Sequence, residues 1–136
     1  MTTPATPPPP PPPRQLVLLV EDDELVRMTL RLMLERSGFE VQEAKHGGEA
    51  VVLYDKRPAD VVLTDLIMPD ADGLETIQHL RRLRPTPRII AMSGGGRISS
   101  KDYLKLAAAL GARRTLTKPF SEADLLEALR AVLTNP

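Results

Sequence analysis

The chemistry in this chain, if it has any, must come from side chains that stand just beyond runs of apolar residues. Glu21, Asp22 and Asp23 follow Leu16–Val20, and Asp65 follows Val61–Leu63 and Thr64. Ser93 stands next to the run Arg88–Met92 and opens onto Gly94, Gly95 and Gly96, while Lys118 lies just beyond Arg113–Leu116. Carboxylates gathered at one place raise one another's pKa or require a cation. An all-oxygen set without His or Cys suits a hard ion, and Mg²⁺ fits it best. Each residue alone has a plainer account. An acid after a strand usually caps the next helix, as expected for Asp23 ahead of Glu24, and Asp60 reads as a solvated charge. A single serine reads as a turn residue and a single lysine as surface. The case for chemistry is their conjunction at several strand ends on one side of one sheet.

The elements that must position these residues alternate along the chain. The expected strands are Leu16–Val20, Phe39–Ala44, Val61–Leu63, Arg88–Met92 and Arg113–Leu116. Between them, Glu24–Ser37 carries Val26, Leu30, Met33 and Leu34 at helical spacing, with Gly38 as a C-cap. Helices are also expected at Gly48–Lys56 before Pro58, Gly73–Leu83 before Arg84-Pro85, Ser100–Leu110 before Gly111, and Ser121–Leu133. The last opens with the capping pattern Ser121-x-x-Asp124 and carries the stripe Leu125, Leu126, Leu129, Val132 and Leu133. Met28 and Met92 read as core, and His46 and His79 as surface. The glycine run is followed by Arg97 and Ile98, so it lacks the Lys-Ser/Thr of a P-loop. Strands alternating with helices imply right-handed crossovers and a parallel sheet covered on both faces. In such sheets ligands bind at the carboxyl ends of the strands, at the topological switch point.

Composition narrows the function classes. The chain has 136 residues and no net charge, which does not indicate nucleic acid as a partner. There is no cysteine, excluding disulfides, thiol catalysis and Cys-based metal sites. Aromatics are 3% with no Trp, so the core must be aliphatic. No apolar run is long enough for a membrane span, and a proline run stands where a signal peptide would have its apolar segment. A cytoplasmic location is the expectation. Residues 1–13 include seven consecutive prolines, Pro7 to Pro13, which suit a polyproline II arm and exclude a helix. The arm reads as a solvated tail, with a ligand for a Pro-recognising domain as the alternative. Residues 14–136 read as one domain.

The motifs Leu-Leu-Val-Glu-Asp-Asp at 18–23, Thr-Asp-Leu-Ile-Met-Pro-Asp-Ala-Asp-Gly at 64–73, Ile-Ile-Ala-Met-Ser-Gly at 89–94 and Leu-Thr-Lys-Pro-Phe at 116–120 occur in this order. From about Leu16 to Leu133 the chain resembles the receiver domain of two-component response regulators, especially the stand-alone, chemotaxis-type kind. The resemblance implies a flavodoxin-like (βα)5 fold, a doubly wound five-stranded parallel sheet in the order 2-1-3-4-5. It implies Asp65 as phospho-acceptor, Asp22 as a direct Mg²⁺ ligand, Glu21 as a ligand through water, and the Ile67 carbonyl as a further ligand. Ser93 would bond the phosphoryl group, the Gly94 amide would hold one of its oxygens, and Lys118 would pair with it across a cis Lys118-Pro119 bond. The implied donor is a sensor histidine kinase or phosphotransfer protein, and the implied state a monomer or weak dimer. A carboxylate can attack phosphorus to give an acyl phosphate. The charge of that product would draw in Ser93 and Lys118 and move the adjoining loop and helix.

The chain departs from the pattern in places. Where the family usually carries an aromatic switch, this chain has Thr115, so readout is expected from the 94–99 loop and the helix after it, with Tyr103 as a substitute aromatic. The positions two beyond Asp65 and two beyond Ser93 are Ile67 and Gly95, neither able to hold a water by its side chain, which predicts slow self-dephosphorylation. With only Thr134-Asn135-Pro136 after the last helix, the signal is expected to leave by protein contact, through a surface including Lys101, Lys105, Arg113, Arg114, Glu122 and Glu127. Three other readings fit less well. A haloacid-dehalogenase-type phosphatase would need a second Asp at Ile67. A flavodoxin would meet Glu21, Asp22 and Asp23 where its phosphate must sit. A docking-only receiver would have no use for the full set of Glu21, Asp22, Asp65, Ser93 and Lys118.

Overall fold

The computed structural model describes residues 14–68, 71–94 and 100–134, with the backbone alone at 67–68, 71–73, 100–101 and 103–104. Five strands form one parallel sheet: β1 (Leu16–Val20), β2 (Glu40–Ala44), β3 (Val61–Asp65), β6 (Ile89–Ser93) and β7 (Arg114–Thr117), in the order β2-β1-β3-β6-β7. The expected order 2-1-3-4-5 is therefore found. β1, β3 and β6 are buried along their whole length, which is why their apolar residues come in runs rather than alternating, with Thr64, Asp65 and Ser93 the buried polar residues at the ends of β3 and β6. Beyond the expected elements, a short antiparallel hairpin joins β4 (Ile67–Met68) to β5 (Ala71–Asp72). Two-residue strands are too short to show a periodicity of two, so the sequence gives no sign of them.

The strands deal their side chains to two cores. Leu16, Leu18, Val20, Val62 and Ala91 face Ala50 and Tyr54 of α2 (Gly47–Lys56), Ile77 and Leu80 of α3 (Gly73–Arg81) and Ala107 of α4 (Ser100–Ala109). Val17, Leu19, Leu63, Ile90 and Met92 face Leu30 and Leu34 of α1 (Glu24–Arg36) and Leu125, Leu129 and Val132 of α5 (Glu122–Thr134). This division is the doubly wound arrangement, and it leaves the carboxyl ends of β1, β3 and β6 side by side.

Local signals set the helix ends. Asp23 caps α1, its Oδ1 accepting from the Val26 amide at 2.9 Å. Gly38 closes the same helix at φ +94°, a conformation that favours glycine. Ser121 and Asp124 form the expected reciprocal cap, at 3.1 and 3.3 Å. His46, a surface residue as expected, caps α2 by accepting from the Glu49 amide.

Met28, Asp60 and the end of α3 differ from expectation. Met28 is 51% exposed, because it lies about a third of a turn from the inward face of Arg27, Leu30 and Leu34. It joins Leu25 and Leu32 in an exposed apolar stripe on α1. Asp60, although exposed, is not only a solvated charge: its Oδ2 accepts from the Leu16 amide at 2.6 Å and ties the start of β1 to the approach to β3. The helix α3 also ends at Arg81 instead of Leu83, since the chain tightens into a turn from the Leu83 amide to the Leu80 carbonyl ahead of Pro85.

Candidate functional site

Three strand ends and one loop assemble the site. The parallel registers β1–β3 and β3–β6 set Val20 beside Thr64 and Asp65 beside Met92, so the residues after β1 and at the ends of β3 and β6 form a row. β7 adds Lys118 from the far side: its amide donates to the Ser93 carbonyl at 2.8 Å. The Lys118-Pro119 bond is cis, as the resemblance implied.

Lys118 is the centre of the arrangement. Its Nζ donates to Glu21 Oε1 at 2.8 Å and to Asp65 Oδ2 at 3.2 Å. Both carboxylates are buried, and the lysine side chain is partly buried between them and solvent. Carboxylate oxygens of Glu21, Asp22 and Asp65 lie within 4.8 Å of one another. Among the described residues, three carboxylates thus gather here and two of them bond the Lys118 ammonium. Burial, and then the neighbouring Asp65, push the Glu21 carboxyl up to about 8, against the opposing pull of Lys118. Burial would lower the Lys118 ammonium, but its bond to Glu21 and the charges of Asp65 and Glu21 outweigh that and hold it above the ordinary lysine value. Both shifts have one meaning: the site is short of positive charge.

Two buried polar atoms of the site show where bonding capacity is left over there. Glu21 Oε2 and Ser93 Oγ have no hydrogen-bond partner among the described residues. Such groups are rare, because each costs a desolvation penalty. The donor set fits Mg²⁺: oxygen-only, anionic, with a spare buried carboxylate oxygen. Asp22 is the exposed member and Glu21 and Asp65 are the buried ones.

Gly94 is constrained by the same lysine. A Cβ built there would come within 2.4 Å of the Lys118 Cβ and 2.9 Å of its carbonyl oxygen. Close backbone approach requires glycine, and it brings the Gly94 backbone alongside Lys118.

The sequence matches the family described as "Response regulator receiver domain" over residues 17–130. The chain belongs to this family. It is 35% identical over 113 residues to the chemotaxis protein CheY of Halobacterium salinarum, covering 83% of this chain and 92% of that protein. To the CheY of Thermotoga maritima it is 33% identical, covering 82% and 91%. It is 36% identical to the transcriptional regulatory protein PdtaR of Mycobacterium tuberculosis over 83% of this chain, but spans only 54% of that protein. Solved structures resemble it along nearly the whole chain. A putative response regulator from Chloroflexus aurantiacus has a TM-score of 0.82 at 29% identity, covering 90% of this chain and 100% of that one. A CheY-like receiver domain protein from Methanospirillum hungatei has a TM-score of 0.81 at 27% identity, covering 90% and 95%. Receivers of this family are generally signalling switches rather than turnover enzymes, and typically bind Mg²⁺ at an acidic pocket.

The expected site residues Glu21, Asp22, Asp65, Ser93, Gly94 and Lys118 are brought to one sheet edge. The Ile67 backbone lies in β4, immediately beyond β3. Thr115 is half-buried in β7 opposite Ala91, at the position of the missing aromatic. On the expected partner surface, Lys105, Arg113 and Arg114 are exposed, and Arg114 pairs with Glu127. Glu122 pairs with Arg36 of α1 at 2.6 Å. The side chains of Lys101 and Tyr103, Gly95, most of the 94–99 loop and the proline arm fall outside the described residues. No described helix is long and apolar enough to cross a membrane.

Sequence reasoning missed Arg27. Its guanidinium is buried and donates to the Glu21 carbonyl at 2.9 Å. A signal existed: Arg27 stands three residues before Leu30 and seven before Leu34, on the inward face of an amphipathic helix.

Proposed function

We propose that this receiver is a phosphorylation-dependent switch that accepts a phosphoryl group on Asp65 from a histidine kinase or a phosphotransfer protein. The observation that carries the reading is the Lys118 ammonium held between Glu21 and Asp65 beside a buried Ser93 hydroxyl that has no partner among the described residues. A site so arranged is short of one divalent cation and ready to bond one more anionic group.

In this reading an Asp65 carboxylate oxygen attacks phosphorus of a phosphohistidine. The new O–P bond forms as the P–N bond breaks, and the imidazole leaves with the electron pair. Mg²⁺, held by Glu21, Asp22 and Asp65, would supply charge neutralisation for the transferred group. Lys118 exchanges its contact with the Asp65 carboxylate for one with a phosphoryl oxygen, and the Ser93 hydroxyl donates to another. These two residues lie at the ends of neighbouring hydrogen-bonded strands, so the movement reaches both β6 and β7. Charge-assisted bonds of this kind are the strong ones.

A donor protein has a surface to meet. Leu25, Val26, Met33, Pro119 and Phe120 line a groove that also borders Gly94 and Lys118, and the exposed Leu25, Met28 and Leu32 extend it along α1. Output in this reading passes by protein contact, residues 14–136 act as the receiver domain, residues 1–13 are a separate arm, and the chain works in the cytoplasm as a monomer or weak dimer. The test is intact-protein mass after incubation with acetyl phosphate. One phosphoryl group gained by the wild type only with Mg²⁺, and not by Asp65→Asn, is expected. Phosphorylation of Asp65→Asn at the wild-type level would refute the assignment.

A further inference from the structure

We propose that Arg27 is the positioning residue of the acidic turn: its guanidinium fixes the Glu21 peptide so that Glu21 and Asp22 both present carboxylates to Mg²⁺. The inference rests on the proposed reading of the site as a Mg²⁺-dependent phospho-acceptor.

The Glu21 backbone is held at both polar atoms. Its amide donates to the Ala44 carbonyl at 3.0 Å, extending the β1–β2 ladder by one residue. Its carbonyl accepts from Arg27 Nη1 at 2.9 Å. In an extended chain consecutive side chains point to opposite faces. Glu21 and Asp22 nevertheless bring carboxylate oxygens within 4.8 Å of each other and of Asp65. The chain must therefore turn between them, and the Arg27 bond sits on the peptide where it turns. Asp23 then caps α1, the helix that carries Arg27, which closes a short loop of mutual support.

Arg27 has no second contact of comparable quality among the described residues. Its Nε is 3.9 Å from Glu43 Oε1, too long for a hydrogen bond, and the other Glu43 oxygen accepts from Arg31 at 3.2 Å. A buried charge is costly unless it is bonded. The bond Arg27 makes is directed at the peptide of a metal-site residue.

The sign of the effect separates positioning from electrostatics. Deleting a cation beside an anionic site should tighten a dication by Coulomb attraction alone. Loss of positioning should weaken it. The experiment is a titration of the unphosphorylated full chain with MgCl₂ at constant ionic strength, followed by amide ¹H–¹⁵N shifts, which also report folding. Arg27→Met keeps the apolar stem and removes the donors. It is expected to bind Mg²⁺ about tenfold more weakly, with Arg27→Lys in between because an ammonium lacks the guanidinium fork. Glu43→Gln, which leaves the Arg27–Glu21 bond in place, is expected to stay within about twofold of wild type. Unchanged or tighter binding by Arg27→Met overturns the inference, as does a tenfold loss in Glu43→Gln. If Arg27→Met does not fold, unchanged affinity in Arg27→Lys overturns it. A wild type that shows no Mg²⁺-dependent shifts refutes the reading of the site itself.

Discussion

Ser93→Ala separates the two states of the switch by the sign of its effect. The Ser93 hydroxyl is fully buried and has no partner among the described residues. An unpaired buried hydroxyl costs about 1–3 kcal/mol. Removing one oxygen opens a void on the order of 10 Å³, which at about 24 cal/mol per Å³ costs only about 0.2 kcal/mol. The substitution leaves the strand's backbone bonds, including Lys118 N–H to Ser93 O, untouched. Without Mg²⁺ or phosphodonor, Ser93→Ala should therefore be more stable than wild type by about 1 kcal/mol, or roughly 3–5 °C in Tm for a domain of this size. With Mg²⁺ and beryllofluoride as the phosphoryl mimic, the order should reverse. The hydroxyl then finds an anionic acceptor, and its loss should weaken the mimic about tenfold or more. Urea unfolding with and without the mimic checks both arms. A loss of more than about 1 kcal/mol in the free protein would refute the reasoning, because it would show the hydroxyl already bonded.

The same geometry sets the outcome of other perturbations. Gly94→Ala must displace Lys118, whose Cβ would be 2.4 Å away, and should lower both stability by about 1–3 kcal/mol and acetyl-phosphate labelling. Gly47→Ala meets the buried Thr76 hydroxyl at 2.1 Å between α2 and α3 and should cost stability with labelling of the folded protein unchanged; equal labelling losses in the two variants would deny Gly94 any special role. Because Glu21 binds its proton more tightly folded than unfolded, its contribution is present below the ordinary glutamate range and is lost as pH rises toward about 8. Stability of the chelator-treated protein should accordingly fall across that window, while the raised Lys118 keeps its contribution throughout it. Denaturant midpoints should show this decline flattened in Glu21→Gln, and an unchanged slope would count against it.

Much of the site was legible because its residues sit at fixed offsets from apolar runs. The three buried strands carry apolar runs, Leu16–Val20, Val61–Leu63 and Ile89–Met92, and the residues that end or follow each run must emerge at the same sheet edge. The caps at Asp23, Gly38 and Ser121 were legible for a similar reason, since they are local bonds within three or four residues. Met28 was misjudged because residue type alone does not say which side of a helix faces the core.

The sequence by itself determined the alternation of the five sheet strands with five helices, the parallel sheet and the identity of the chemical groups, since those depend on periodicity, crossovers and side-chain type. Only the tertiary structure decided that Lys118 bridges Glu21 and Asp65 from 97 and 53 positions away, that Ser93 and Glu21 keep buried oxygens unpaired among the described residues, and that the Arg27 guanidinium bonds the Glu21 carbonyl. These depend on how the strand ends and α1 meet in space. Burial and charge at that meeting turn ordinary side chains into a site, and neither quantity exists until the chain is folded.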